Sequence, residues 1–367
     1  MRGARTRKLM NKNNHKILIL DNSLKSLLGF RGRLLSDLCE TSMIEIASMV
    51  DVTADRIPTS VKIHNIAIER GSLSLFGIVK ELVGILKILR ITRPTVFVAF
   101  TIRCALLCGL TRLFYKKSKN VVVIAGMGNL FQSKSLGFRL IQKIVIYIIS
   151  TNDKVIVLNK EILKILQKCN PILIEGEGVD LNKLKYSQKK QIKKFIFVGR
   201  LLRDKGIFEL LDAFHTASKQ YHDIQLKLVL AIDKENPERI DLSRLQNFIN
   251  DGVEIIENCE NVYAELCASD CFIFPSYHEG FSIALSEAAA VGLILIASDI
   301  EGCRQIVTQR NGFLVQPKSV TSILNAIHNV MALETAEIEK MSYYSRMIAE
   351  KKLDQNIQSK AFYNEIV

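Results

Sequence analysis

Ser276-Tyr277-His278-Glu279-Gly280-Phe281-Ser282-Ile283-Ala284-Leu285-Ser286-Glu287-Ala288 sets two carboxylates eight residues apart across a strand-to-helix junction. The apolar run Cys271-Phe272-Ile273-Phe274, stopped by Pro275, reads as a short buried strand. From Ser282 the pattern turns helical until Gly292, a C-terminal cap. Glu279 then falls in the turn and Glu287 in the helix. Helical side chains tilt toward the N-terminus, so Glu287 leans back toward the turn. There the unpaired N–H groups of 280–283 and the helix dipole favour negative charge. Anion-binding amides beside two hydroxyl-accepting carboxylates suit a sugar phosphate. The plainer alternative is a solvated helix glutamate and a turn glutamate.

A second cluster favours the ligand reading. Phe195-Ile196-Phe197-Val198-Gly199 has the pattern of a buried parallel strand, and a helical pattern runs from Ile207 to Ser218. Between them, Arg200-Leu201-Leu202-Arg203-Asp204-Lys205-Gly206 places Arg200 and Lys205 beyond the strand's carboxyl end, where open α/β sheets bind ligands. Arg200 offers a fork for phosphate oxygens and Lys205 a compact charge.

Strand and helix patterns alternate along the whole chain. Strands are expected at Lys16–Leu20, Ile44–Ala47, Ile63–Ile66, Thr95–Ala99, Val121–Ala125 and Lys154–Leu158, with Asp21 to Gly32 a loop. After a linker from Glu175 through the polar run Lys183–Lys194, strands recur at Phe195–Val198, Leu226–Ala231, Val253–Ile256, Cys271–Phe274, Ile294–Ala297 and Phe313–Val315. Helices from about Ala336 and Gln355 close the chain. The 367 residues suit two cores: a basic domain over 1–180, a second over 181–335, and C-terminal helices over 336–367.

Charge is uneven. Residues 1–180 hold 28 Lys and Arg against 13 Asp and Glu, a net +15, while residues 181–367 hold 22 against 24, a net −2. Within 101–150 lie Arg103, Arg112, Lys116, Lys117, Lys119, Lys134, Arg139 and Lys143 and no acidic residue. Such a field attracts polyanions or an anionic bilayer. Nucleic acid is disfavoured, since Trp is absent and the basic residues alternate with aliphatic ones. Ser135–Ser150 and Leu73–Ile91 read as amphipathic helices, suited either to a membrane surface or to the flank of a sheet.

The eight cysteines lack both a disulfide framework and zinc-ligand spacing. Met1–Lys16 has no apolar signal core, and no apolar run reaches membrane-spanning length, so a cytoplasmic location is expected, at the inner face of the membrane.

Four groups of residues carry a resemblance: the Gly199-Arg200 to Lys205-Gly206 loop, the Glu279/Glu287 pair, Ser298-Asp299-Ile300-Glu301-Gly302-Cys303-Arg304, and Asn311-Gly312-Phe313-Leu314-Val315. Together they resemble the retaining glycosyltransferases of family 4, with the α/β GT-B fold of two doubly wound Rossmann-like domains facing a cleft, which implies that the C-terminal helices over 336–367 cross back to the first domain. Leu28-Gly29-Phe30-Arg31, Phe100-Thr101-Ile102-Arg103, Gly126-Met127-Gly128-Asn129-Leu130-Phe131, Gly178-Val179-Asp180 and Glu235-Asn236-Pro237 extend the likeness to bacterial enzymes that build surface polysaccharide on a polyprenyl diphosphate.

The resemblance implies a hexosyl or N-acetylhexosaminyl transferase that takes its sugar from a nucleotide diphosphate donor, uridine-linked, and passes it to a polyprenyl-diphosphate acceptor. Catalytic candidates are Glu279, Arg200 and Lys205. Donor contacts would come from Arg200, Lys205, Glu279, Gly280, Phe281, Ser282, Glu287 and Asn258, with Glu287 on the ribose and Glu279 on the sugar. Acceptor-side candidates are Arg31, Arg103, Gly126 and Asn129. No Asp-x-Asp motif is present, so no metal or other cofactor is expected, and side chains and helix dipoles would neutralise the leaving diphosphate. The chain departs from the family's pattern at Gln305, commonly Glu, and at Gly126-Met127-Gly128-Asn129, where many relatives carry a histidine. Alternatives are a catalytically silent scaffold subunit and a nucleotide-sugar epimerase of the same fold.

Overall fold

The computed structural model describes residues 15–52, 58–68, 74–127, 131, 135–232 and 239–367. The expected contacts at Gly128, Asn129 and Leu130, and at Glu235-Asn236-Pro237, lie outside these residues. The chain forms two compact units, one running to Glu177 and joined by Asn356–Val367, the other Gly178–Gln355.

The first unit holds a sheet of seven parallel strands: β1 (Lys16–Leu20), β2 (Met43–Ser48), β3 (Lys62–Asn65), β4 (Val96–Phe100), β5 (Lys119–Ile124), β6 (Lys154–Val157) and β7 (Ile172–Leu173). Their order is β3-β2-β1-β4-β5-β6-β7, which reverses between β1 and β4. Helices Leu75–Thr92, Ile102–Thr111 and Leu136–Ser150 pack side by side over one core, and helices Leu24–Thr41 and Gln355–Ile366 bury Leu34, Leu38, Phe362 and Ile366 in another. The fully buried β4 and β5 interiors explain their continuous Val-rich runs, since a parallel strand is covered on both faces.

The second unit has six parallel strands: β8 (Lys194–Arg200), β9 (Gln225–Ala231), β10 (Val253–Glu257), β11 (Cys271–Phe274), β12 (Ile294–Ser298) and β13 (Gly312–Val315), ordered β10-β9-β8-β11-β12-β13. Every residue of β11 is buried, and Phe274 stacks on Phe197 of the same sheet with ring centroids 6.0 Å apart.

Three expectations are corrected. Asp21–Gly32 is not a loop: the helix begins at Leu24 behind Ser23, whose hydroxyl caps the Ser26 N–H. Burial of Leu24, Leu27, Leu34, Leu35 and Leu38 outweighs the weak helix preference of Gly29 and Gly32, and a local break falls at Arg31 instead. The polar run 183–194 is not a free tether, because Leu184, Lys189 and Ile192 are buried on the second unit and the Lys189 N–H donates to the Ser342 hydroxyl. The helix Thr335–Ile348 stays with the second unit, against the Ile283–Val291 helix, and only residues from Asn356 join the first.

Candidate functional site

The order of the second sheet reverses between β8 and β11, and the loops leaving these two strands meet. Arg200 ends β8, exposed, and a tight turn over Arg203–Lys205 follows. That turn stops at Gly206 with φ 69°, and a Cβ there would lie 2.3 Å from the Pro275 carbonyl oxygen. Glycine is therefore required twice, for the left-handed backbone and for the close approach. The Tyr277 N–H donates to the Asp204 carbonyl at 2.7 Å, which closes the seam between the two loops.

Lys205 and Glu279, both largely buried, meet across that seam with Nζ to Oε1 at 2.5 Å. The Ser276 hydroxyl lies 3.1 Å from the same Glu279 oxygen. Behind the turn, a Cβ on Gly302 would lie 2.4 Å from the Glu279 carbonyl oxygen, so the short Glu301–Arg304 helix backs the loop directly. Ser282 starts the Ile283–Val291 helix and its hydroxyl accepts the Leu285 N–H. Gly292 ends that helix with φ 95°.

Glu287 differs from its neighbours. Among the described residues its carboxyl has no hydrogen-bond or ion-pair partner, and burial lifts its pKa to about 7. A half-buried carboxyl left without a donor carries a cost in a folded protein and marks a candidate ligand contact. Tyr277, nearby in sequence, is pushed up to about 12 by burial and by its hydrogen bond to Glu209 at 2.6 Å. The Gln305 amide is buried with neither its nitrogen nor its oxygen hydrogen-bonded among the described residues.

Asn258 takes a bracing position. With φ 47°, it accepts the Ile232 N–H on its side-chain oxygen at 3.1 Å and donates its own N–H to the Leu230 carbonyl at 2.8 Å, tying the loop after β10 to the end of β9.

The first sheet's reversal point, after β1 and β4, is built differently. Arg31 is buried between Asp21 at 3.2 Å and Glu177, with its guanidinium 4.3 Å from the Phe100 ring centre. Burial raises the Asp21 pKa against the opposing pull of Arg31. Arg103 is paired with Glu81, Nε to Oε2 at 3.0 Å. Both arginines expected on the acceptor side thus carry carboxylate partners. Thr101 holds φ 75° at the β4–helix junction, and among the described residues nothing lies within 4 Å of a Cβ built on Gly126.

Sequence reading did not bring out the roles of Ser276 and Gly302. Gly302 sat inside a quoted motif, but a glycine's neighbour in space leaves no local signal. The Lys205–Glu279 pair spans 74 residues and is equally silent in sequence.

The family described as glycosyl transferases, group 1, matches residues 180–348, the segment that carries this site. Those residues are a group 1 glycosyl transferase domain. The chain is similar to the capsular polysaccharide biosynthesis glycosyltransferase CapM of Staphylococcus aureus, 26% identical over 193 residues, 51% of this chain and 50% of that protein. It is also similar to the N,N'-diacetylbacillosaminyl-diphospho-undecaprenol alpha-1,3-N-acetylgalactosaminyltransferase of Campylobacter jejuni, 25% identical over 51% of this chain and 50% of that one. The chain spans about half the length of these curated relatives. Among solved structures, sucrose-phosphate synthase from Thermosynechococcus elongatus superposes with a TM-score of 0.77 at 16% identity, over 96% of this chain and 98% of that one. This likeness shows the fold: the group 1 domain is one of two Rossmann-like domains of a GT-B protein.

Proposed function

We propose that the chain is a retaining glycosyltransferase of bacterial surface-polysaccharide synthesis, moving a hexose or N-acetylhexosamine from a uridine diphosphate sugar to a polyprenyl-diphosphate acceptor. The carrying observation is Glu287, a half-buried carboxyl without a partner among the described residues, on the helix that follows the Lys205–Glu279 pair. In this reading a ribose diol donates its hydroxyl protons to Glu287. Arg200 and Lys205 face the diphosphate and stabilise the negative charge that grows on it as the glycosidic bond breaks. Glu279, held by Lys205 and Ser276, accepts a hydroxyl of the transferred sugar, and the amides of Gly280, Phe281 and Ser282 complete the grip. Asn258 braces the loop that would lie beside the base. The departing phosphate oxygen takes the proton of the attacking hydroxyl, so no separate base is assigned. The names of the capsular and diphospho-undecaprenol relatives support the substrate classes.

A screen of nucleotide sugars for protection against thermal unfolding, followed by calorimetry with the bare uridine diphosphate, tests the reading. Glu287→Gln is expected to weaken nucleotide binding, whereas Glu279→Gln spares it and lowers transfer. Equal weakening by both would contradict the division of roles. Transfer is also expected to persist in EDTA, because the sequence has no Asp-x-Asp motif. Complete loss restored only by Mg²⁺ or Mn²⁺ would reject the metal-free route.

A further inference from the structure

Two helices of the first unit are apolar on both sides. Leu75–Thr92 buries Ile85, Leu86 and Leu89 toward the sheet, and Leu136–Ser150 buries Val145 and Ile149. Between them packs Ile102–Thr111, so closely that a Cβ on Gly109 would lie 2.4 Å from the Ile148 carbonyl oxygen. The inward stripes satisfy the core. The outward stripes are apolar as well: Phe76, Val79 and Val83 on one helix and Leu140, Ile144 and Tyr147 on the other follow helical spacing, and all are exposed. Phe76 is 81% exposed and Tyr147 72%, values far from those of partly covered core residues. A soluble domain rarely leaves two such rows of apolar side chains open without an occupant.

The charges around these stripes identify the occupant. Lys80, Lys87 and Arg90 lie exposed on the first helix, Arg139 and Lys143 on the second, and Lys116 and Lys117 in the segment after Ile102–Thr111. The only acidic residue of the three helices is Glu81, which is buried and held by Arg103. Asp153, the nearest acid beyond them in sequence, is paired with Arg112. An apolar stripe flanked by cations and free of exposed acids matches the boundary of an anionic bilayer, where rings and aliphatic chains enter the acyl region and lysines reach the headgroups. Among the described residues no helix is long and apolar enough to cross a membrane, so the contact would be peripheral. We infer that the outer face of this three-helix layer, centred on Phe76, Val79, Val83, Leu140, Ile144 and Tyr147, is a docking surface for an anionic lipid bilayer. The inference stands apart from the transferase reading, since it invokes no donor or acceptor contact. Of the basic residues within 101–150, Lys119 does not belong to the surface: it donates to the Glu365 and Ile366 carbonyls, and Arg112 is engaged by Asp153.

Co-sedimentation of the full chain with vesicles of phosphatidylcholine alone, or of phosphatidylcholine and phosphatidylglycerol in equal parts, tests it. Wild type is expected to bind the mixed vesicles and to bind the neutral ones far less. Phe76→Ser with Ile144→Ser changes only exposed side chains, and an unchanged melting curve would confirm intact folding. This variant should lower partitioning into mixed vesicles by about tenfold or more. Lys80→Gln and Lys87→Gln should each lower it by about fivefold, with the effect fading in high salt. Failure of wild type to bind either vesicle at low salt would overturn the inference. So would binding that the lysine variants abolish and the apolar variant leaves untouched. Self-association of wild type that the Phe76/Ile144 variant turns to monomer, without vesicle binding, would assign the face to a second copy instead.

Discussion

The two reversal points of the molecule occupy the same place in the same kind of sheet, yet they treat charge in opposite ways. After β1 and β4, Arg31 is closed in by Asp21, Glu177 and the Phe100 ring. After β8 and β11, Lys205 and Glu279 pair, while Glu287 waits without a donor. In the first arrangement the arginine and the carboxylates neutralise one another, although the buried Arg31 Nε has no hydrogen-bond partner among the described residues, whereas the second keeps a carboxyl in reserve. Topology offers a crevice at both points, but only unspent polarity turns a crevice into a candidate site.

The contrast is broken most severely at Arg31. Arg31→Ala strands two buried carboxylates without a counter-charge and should cost about 3–5 kcal/mol of unfolding free energy. Arg31→Met combined with Asp21→Asn and Glu177→Gln should recover most of that loss in chemical denaturation. If the single substitution costs little, the cluster is not the closed structural unit described.

Lys205→Ala should reverse the pattern, sparing the fold more than the chemistry. A loss of roughly 2–4 kcal/mol of transition-state stabilisation is expected in kcat/KM. Near wild-type transfer would remove Lys205 from the diphosphate.

The smallest effect sharpens the idea of reserve. A glutamate with an ordinary pKa near 4.5 when unfolded and about 7 when folded keeps its proton longer in the native state. Stability therefore falls as pH rises from about 4.5 to about 7, then levels, because the folded form must carry a buried charge. Glu287→Gln should leave the unfolding free energy nearly unchanged at pH 5 and raise it at pH 8, by on the order of 1–2 kcal/mol once solvent screening of a half-buried carboxyl is allowed for, which chemical denaturation at the two pH values reads. An equal change at both pH values would mean that the ionised carboxyl is not the source of the cost.

What the sequence disclosed follows the range of each interaction. The strand Cys271–Phe274 and the helices to Ser218 and Gly292 were legible because apolar period and caps are written within a few residues. The short β7 was not, since two half-buried residues carry no period. Glu279, Glu287 and Lys205 could be named from the motif, but the salt bridge that joins two of them and the backing by Gly302 are tertiary facts. The helix start at Leu24 was missed because two glycines spoke for a loop, while the deciding burial of Leu34, Leu35 and Leu38 lay downstream.

The last helix binds the first unit in a way that bears on how the chain is made. Phe362 and Ile366 enter the first core, Ser359 donates to Asp37, and Lys154 holds the Glu365 carboxylate at 2.8 Å. Residues 356–367 are synthesised only after the whole of Gly178–Gln355. At ribosomal speeds of about 5–20 residues per second, the first unit waits on the order of ten seconds or more for its missing helix. During that interval the end of the Leu24–Thr41 helix that receives Ser359 at Asp37 and Tyr363 at Thr41 lacks its partner, so a nascent chain stalled before residue 356 should be a better client for chaperones than the chain that includes it.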